Sequence, residues 1–398
     1  MAPDQSRTGA RLTGVDLARG MALLGIMVNH VVGGTPSALL WDLHAVTFTL
    51  LVGVGHELGR RSGRPASTAA GAILWRIAVL LAIGLALAAL QTRAAIIIAN
   101  LALVSLVVAV AARGRSRWIL LAIAAILLLA PWTAWWVRSR FNPMLPWNLQ
   151  AQDLAEPAVA VSTVLFATPY PVALWSAYAL TGVLVARHVD LTRASALRPA
   201  VIAAAACTLT GIAVTAGAVA VGLVRMQPID ALAAGVGMGF VRAQPDWIWL
   251  SGAYLPSAPA VLVSGGLAVI GLCLCCAACT VPVIRASAPV WMLSSLGSMT
   301  LSGYALHIVV YDQAWLTDAT QRLGGAWVEY LVHLVVLSAV LLLWRTGFRG
   351  PLAAGPLEVL TRPPGRRSVR AAGNSVHPPG CPRRHQAIRL DSGSRLTR

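Results

Sequence analysis

Three ionisable side chains lie along one face of the first apolar segment of the chain, Gly14 to His30. Asp16 and Arg19 are three residues apart, a spacing that brings two side chains together on a helix. Arg19 and His30 are eleven apart, which at about 100° per residue returns to within about 20° of one direction, with His30 about 16 Å further along the axis. An arginine can hold an anionic group, and an imidazole can take and return a proton near neutrality. The spacing therefore indicates anion binding near Arg19 and acid–base chemistry near His30.

The same residues also allow a purely structural interpretation. Asp16 and Arg19 would then form an ion pair at a membrane interface, and His30 would cap its helix or reach the opposite surface. Periodicity does not choose between the two interpretations, because both place the three residues on one face.

The composition is that of an integral membrane protein. Of 398 residues, 57% are hydrophobic and 11% are charged, whereas a soluble domain is about a quarter charged. Apolar segments long enough to cross a bilayer, roughly 20 residues each, recur along the chain. They predict an all-α, polytopic helical bundle of about ten transmembrane helices, at about 15–33, 41–59, 69–90, 94–112, 117–137, 161–186, 199–224, 258–282, 289–310 and 326–345.

The arginines predict the orientation and the domain boundaries. An even number of spans puts both termini on one side, and the loops on that side carry most of the arginines, as at Arg60–Arg64 and Arg113–Arg117. The positive-inside rule then places both termini in the cytoplasm and the chain in the cell membrane. We expect a cytoplasmic segment at 1–14, a transmembrane domain at 15–349, and a basic, largely disordered cytoplasmic tail at 350–398.

The distribution of charge and of cysteines argues against nucleic-acid and metal partners. A net charge of +17 could indicate nucleic-acid binding, but the arginines sit mainly in loops between spans, so no nucleic-acid partner is predicted. The chain has no lysine, a bias that suggests a GC-rich bacterial genome. Four cysteines lie between Cys273 and Cys279 inside a predicted span. We interpret them as small packing residues rather than metal ligands, and no metal is predicted.

Ionisable residues inside predicted spans are candidates for function, since each costs about 2.5–3.5 kcal/mol to insert. The set comprises Asp16, Arg19, His30, His44, His56, Glu57, Arg76, His307, Glu329 and His333. His56 and Glu57 adjoin Arg60 and Arg61 and are interpreted as an interfacial charge group. Glu329 is predicted near an outer end, where water would solvate it.

The first segment, LTGVDLARGMALLGIMVNH, resembles the first-helix signature of the transmembrane acyltransferases. Asp16, Arg19, Gly20 and His30 match that signature, including the spacing from arginine to histidine. The signature is shared by the acyltransferase-three family and by the heparan-alpha-glucosaminide N-acetyltransferase catalytic-domain family. Four further segments resemble the second family and its bacterial membrane relatives: WDLHAVTFTLLVGVG (41–55), TPYPVALWSAYALTGVLVAR (168–187), LGSMTLSGYALHIVV (296–310) and GPLEVLTR (355–362).

This resemblance implies a group transfer across the membrane. Acetyl-CoA or another acyl-CoA would bind from the cytoplasm, and its acyl group would pass to an outer sugar hydroxyl, amine or similar acceptor. Carried over, His30 would be the catalytic base or the acyl-accepting group. Arg19, with Asp16 beside it, would hold the donor or the helix geometry.

One feature departs from the heparan branch, whose active histidine lies in the first outer loop. The corresponding loop here, Val31–Trp41, contains no histidine. Either His30 or His44 takes the role, or the chain is not active in that way.

Three further residues are assigned to substrate binding together with His44. His307 matches a histidine in the late helix of the bacterial relatives, and it would orient His30, bind the acceptor, or only join two helices. Asp42 matches an acidic position of the heparan branch but also suits a helix N-terminus. Arg76 would line a donor cavity or pair with Asp16.

Two other classes of function stay open. The polar face of the first helix would also suit a transporter of a small anionic metabolite, and a non-catalytic membrane protein would use it only for packing. The predicted partners are the lipid bilayer and a small-molecule acyl donor and acceptor. The sequence is compatible with a homo-oligomer.

Overall fold

A computed structural model describes residues 12–33, 42–61, 66–90, 94–141, 148–224 and 245–363, and all regular structure in these ranges is helical. The prediction of an all-α chain is confirmed within them. Most of the first outer loop and of the predicted cytoplasmic segment, and the tail from residue 364, lie outside the described residues.

Fifteen helices within these ranges provide the frame. They are α1 (Thr13–Val31), α2 (Leu43–Arg61), α3 (Ala66–Ala88), α4 (Ile98–Ala111), α5 (Ser116–Phe141), α6 (Pro157–Ser162), α7 (Val172–His188), α8 (Ala194–Ala220), α9 (Ala258–Thr280), α10 (Pro282–Arg285), α11 (Ala288–Ser298), α12 (Thr300–Tyr311), α13 (Ala314–Leu323), α14 (Ala326–Gly347) and α15 (Pro356–Leu360).

Several of these helices have the length and composition of membrane spans. Five described segments qualify, within α3, α5, α8, α9 and α14, and the bent pair of α11 and α12 would make a sixth. The outer faces of α5 and α8 expose large apolar side chains such as Leu128, Leu129 and Leu209. Such faces are stable against lipid rather than water.

The predicted single span at 161–186 is two helical pieces. The first is α6 with a π-helical turn at Thr163–Ala167, and the second is α7. The break at Thr168–Pro171 contains two prolines. Proline lacks a backbone N–H and pushes the preceding residue out of the α region.

The predicted span at 289–310 is also interrupted, because α11 and α12 meet at Met299 with an angle of 83°. Close backbone packing of α11 against α1 accompanies this bend. A Cβ atom on Gly297 would lie 1.7 Å from the carbonyl oxygen of Asp16, and one on Gly20 would lie 2.1 Å from that of Leu293. Glycine is therefore required at both positions.

Contacts along α1 establish how its neighbours run. Helix α2 is antiparallel to α1, since the His44 ring lies against Gly25 while the Arg19 guanidinium lies near Gly55. Helix α12 rises beside α1, with Gly303 close to Leu23. Helix α14 packs against both α1 and α12, so three helices meet at the level of His30.

The compact part of the chain runs to Pro363, beyond residue 349, where the predicted transmembrane domain ends. Residues 350–354 form a 3-10 turn, and α15 follows it. The indole of Trp75 on α3 donates a hydrogen bond of 2.8 Å to the Leu360 carbonyl, which holds α15 against the bundle.

Candidate functional site

Three histidines from three helices form a continuous hydrogen-bonded series, which we call the histidine chain. Nδ1 of His30 on α1 lies 3.1 Å from Nε2 of His307 on α12. Nδ1 of His307 lies 2.9 Å from Nδ1 of His333 on α14. The structure thus brings His30 and His307 together and adds His333, the candidate with the least sequence support.

The histidine chain is shielded inside the bundle. His307 and His333 are buried, with exposed fractions of 1% and 2%, while His30 is half-buried. The Tyr311 hydroxyl donates a hydrogen bond of 2.7 Å to the His30 carbonyl. The Tyr304 ring meets the His30 imidazole edge-on, at 6.4 Å between centroids. The imidazole of His30 therefore faces neighbouring helices instead of surrounding lipid.

Two opposite assignments of protons satisfy both hydrogen bonds. In one of them His333 donates to His307 and His307 donates to His30, so that Nε2 of His30 carries the proton. The other runs in the reverse direction, with Nδ1–H of His30 donating to His307 and Nδ1–H of His307 donating to His333. His333 then carries its own proton on Nε2, a buried atom for which the described residues supply no hydrogen-bond partner. In this arrangement Nε2 of His30 has a lone pair and no bond to any described group. That atom can act as a base.

Glu329 is buried rather than solvated, contrary to the sequence-based prediction, with an exposed fraction of 3%. It lies one turn before His333 on α14, and its carboxylate accepts a hydrogen bond of 2.9 Å from Thr317 on α13. Helix α13 was not among the predicted segments, and it covers this carboxylate from water.

The described residues contain no group of three or more His, Cys, Asp or Glu side chains placed to hold a metal ion. The members of the histidine chain are bonded in series and do not converge on a common centre. The four cysteines from Cys273 to Cys279 are buried free thiols on α9.

Asp42 is buried in a separate polar cluster at the start of α2. Its carboxylate accepts hydrogen bonds from the Ser264 hydroxyl at 2.9 Å and from the Tyr254 backbone N–H at 3.4 Å. The carboxylate therefore joins α9 and the segment before it to α2, besides its position at a helix N-terminus.

A shared acceptor links this cluster to the histidine chain. The hydroxyls of Tyr170 and Tyr304 both point at the Ala95 carbonyl, at 3.5 and 3.2 Å. The Tyr170 ring lies 5.7 Å from that of Tyr254, and Tyr304 is the ring that meets His30. Asp42 and His30 thus belong to one polar layer.

His44 does not join the histidine chain through any recorded hydrogen bond. Its ring packs into the space left by the missing side chain of Gly25. On α1, Gly25 points about 140° away from His30, because five residues separate them. The structure thus favours His30 over His44 as the reactive imidazole.

Charged groups gather at the opposite end of α1. Nη1 of Arg19 lies 2.8 Å from the Asp16 carboxylate, whose side chain is 7% exposed. On α2 the carboxylate of Glu57 is fully buried and bonded to Arg60, Arg61 and Arg187. We call this region, with Arg76 of α3, the arginine end. The sequence-based interpretation of Glu57 as part of a charge group holds, although its carboxylate is not at the surface.

Glu358 of α15 caps the first turn of α12 beside the arginine end. Its carboxylate accepts hydrogen bonds from the backbone N–H groups of Leu301 and Ser302, at 2.8 and 3.2 Å. It also interacts electrostatically with Arg76, which in turn repels Arg19. Burial raises the pKa of the Glu358 carboxyl, while the hydrogen bonds from Ser302 act in the opposite direction.

Sequence reasoning did not single out the two tyrosines of the site or Glu358. Tyr304, His307 and Tyr311 have the spacing i, i+3, i+7, which places three polar rings on one helix face and could have indicated the site. The sequence signal for Glu358 was only its place in the short motif GPLEVLTR (355–362).

Comparison with known proteins does not assign the chain to a family. No family model matches it, and no curated protein matches it.

Proposed function

We propose that the protein is a multi-pass membrane acyltransferase of a bacterial cell membrane, with about ten spans and both termini in the cytoplasm. It transfers an acyl group from a cytoplasmic acyl-CoA to a sugar or similar acceptor on the opposite side. The histidine chain is the observation that supports this proposal, because in one of its two proton arrangements Nε2 of His30 is unprotonated and available as a base.

The histidine chain would serve the transfer step as follows. Nε2 of His30 takes the proton from the acceptor hydroxyl or amine as that atom attacks the thioester carbonyl. The new acyl bond forms, the C–S bond breaks, and the proton passes to the departing thiolate. His307 and His333 are positioning residues, since their hydrogen bonds would hold the His30 ring in place and stabilise its protonated form.

Arg19, at the arginine end, would receive the charged part of the donor. Arg19 is 24% exposed although its partner Asp16 is buried, and a guanidinium can bind phosphate oxygens through several N–H donors at once. Arg19 and His30 lie about 16 Å apart along α1, so a donor with an extended arm could contact both.

The test is the release of coenzyme A thiol from acetyl-CoA by purified full-length protein in detergent. His30→Ala is expected to lower the rate by about 10²–10⁴-fold. His188→Ala, which removes an exposed histidine of α7, is expected to leave the rate unchanged. Unfolding temperatures of all three proteins confirm that they are folded. Equal thiol release by wild type and His30→Ala would remove His30 as the base.

A transporter of a small anion is the second candidate, and the bend between α11 and α12 favours it. Discontinuous helices whose N-termini face a substrate are typical of secondary transporters, and α12 begins at such a break. The discriminating measurement is counterflow of labelled acetyl phosphate or acetate in liposomes. Counterflow that Arg19→Gln abolishes, without thiol release from acetyl-CoA, would favour transport over transfer.

A further inference from the structure

A basic cleft lies between the ends of α2 and α7 and the turn that joins α4 to α5. Its volume is about 350 Å³. The lining residues are Arg60, Ala112, Arg113, Gly114, Arg115, Ser116 and Arg187. We call it the arginine cleft. It shares Arg60 and Arg187 with the arginine end, whereas the proposed transfer step uses only Arg19 of that region.

The positive charge of the arginine cleft is only partly compensated. One carboxylate, that of Glu57, is bonded to Arg60, Arg61 and Arg187 together. Three guanidinium groups thus share a single negative charge, and the surplus stays at the cleft.

Arg187 is fixed in place, because its guanidinium also donates to the carbonyls of Ala112 and Gly114, at 2.7 and 2.9 Å. These bonds hold the α4–α5 turn, which carries Arg113 and Arg115. Both of these side chains are exposed, and no ion pair is recorded for either one among the described residues. The cleft thus combines a wall of fixed cationic groups with two exposed arginines that have no ion pair among the described residues.

An apolar surface begins where the arginine cleft ends. Helix α5 starts at Ser116, and its first turns expose Trp118, Leu120 and Leu121 with fractions of 57%, 56% and 57%. The dipole of α5 adds partial positive charge at its N-terminus, beside Arg115. A ligand that fits has a negatively charged head and an apolar chain.

We infer that the arginine cleft binds the phosphate headgroup of an anionic phospholipid whose acyl chains lie along α5. The inference is independent of the proposed acyl transfer. A free phosphate compound would satisfy the arginines equally well, but it would leave the adjoining apolar surface of α5 uncovered.

The experiment measures retention of phosphatidylglycerol and phosphatidylcholine by the full-length protein, using native mass spectrometry from mixed micelles. The variant is Arg113→Gln/Arg115→Gln, which leaves the Glu57 ion pairs intact. The matched control is Arg193→Gln/Arg285→Gln, which removes two exposed arginines outside the cleft. Affinity for phosphatidylglycerol is expected to fall about tenfold or more in the cleft variant, since each arginine near an anionic headgroup contributes several-fold. The control is expected to stay within about twofold of wild type.

Parallel titrations with inorganic phosphate and with sn-glycerol 1-phosphate distinguish the source of the headgroup. The inference is supported if neither soluble anion displaces the bound lipid at equal concentration. It is overturned if either anion does so, if phosphatidylcholine is retained as well as phosphatidylglycerol, or if both double variants lose lipid equally.

Discussion

The two ends of α1 manage buried polar groups in opposite ways. At the arginine end, guanidinium groups gather around carboxylates, and Glu57 alone is bonded to three of them. In the histidine chain, the imidazoles bond to one another, and no carboxylate is recorded as a hydrogen-bond partner of His30 or His307. The first arrangement holds fixed charge and suits anion binding. The second can carry a proton without any group being permanently charged. The groups suited to anion binding and those suited to proton transfer therefore lie at opposite ends of one helix.

The largest effect is expected at the arginine end. Glu57→Gln removes the carboxylate that Arg60, Arg61 and Arg187 share, and it leaves the mostly buried Arg187 without an ion-pair partner among the described residues. We expect a loss of about 3–5 kcal/mol in the free energy of unfolding.

Reversible unfolding in mixed micelles would measure this loss. Asp190→Asn is the matched control, because its ion pair with Arg193 is exposed and should contribute less than about 1 kcal/mol. If both variants lost the same amount, the arginine end would not depend on its buried carboxylate.

Gly297→Ala tests whether the two ends depend on the packing of α1 against α11. The new Cβ would meet the backbone of Asp16, so we expect a loss of about 3 kcal/mol, at the upper end for overpacking. Gly271→Ala on α9 meets nothing within 4 Å and should be neutral or stabilise by up to about 1 kcal/mol. Thermal unfolding curves of the two variants would separate these outcomes, and a stable Gly297→Ala protein would contradict the close approach.

His307→Gln tests the histidine chain by removing its middle member. Both of its hydrogen bonds would be weakened or lost, with a stability cost of about 2 kcal/mol. If His307 positions His30, the variant also lowers the maximal thiol release while leaving the Michaelis constant for acetyl-CoA unchanged. A normal maximal rate in a destabilised protein would show that His307 serves only packing.

Glu358→Gln is expected to have the smallest effect, within about 1 kcal/mol, because the amide oxygen still accepts from α12. The pH dependence of stability, compared between wild type and Glu358→Gln, is more informative. Burial raises the pKa of Glu358 above its ordinary value of 4.5, so its contribution to stability is complete below pH 4.5 and is lost as the pH rises through the raised pKa. Unfolding temperatures between pH 4 and pH 8 should therefore fall more in wild type than in Glu358→Gln. Parallel curves would contradict the raised pKa.

Much of the helical frame follows from the sequence, because long uninterrupted apolar segments, such as those of α5 and α9, predict membrane helices directly. The bend at Met299 does not, since it accompanies the contact of Gly297 with Asp16, far apart in sequence. The break before α7 had a local signal in Pro169 and Pro171. The apolar content of 161–186 nevertheless predicted one uninterrupted span, because hydropathy does not register a break in the backbone.

The candidate site divides in the same way. The polar face of α1 was readable from periodicity, and the Asp16–Arg19 pair follows from a spacing of three residues. The position of His333 depends on how α14 packs against α12, and the Ser264 partner of Asp42 lies on α9. Such pairs are decided by tertiary packing, which single-sequence periodicity does not contain.

The glycine contact between α1 and α11 has a consequence for the order of synthesis. The ribosome makes α1 before α11, with nine further helices of the described chain between them. Until then Asp16 and Gly20 lack the backbone that later covers them, and His30 lacks His307. Helix α1 therefore has to persist in the nascent protein with its polar side chains uncovered, and the site closes only after α12 and α14 have been made.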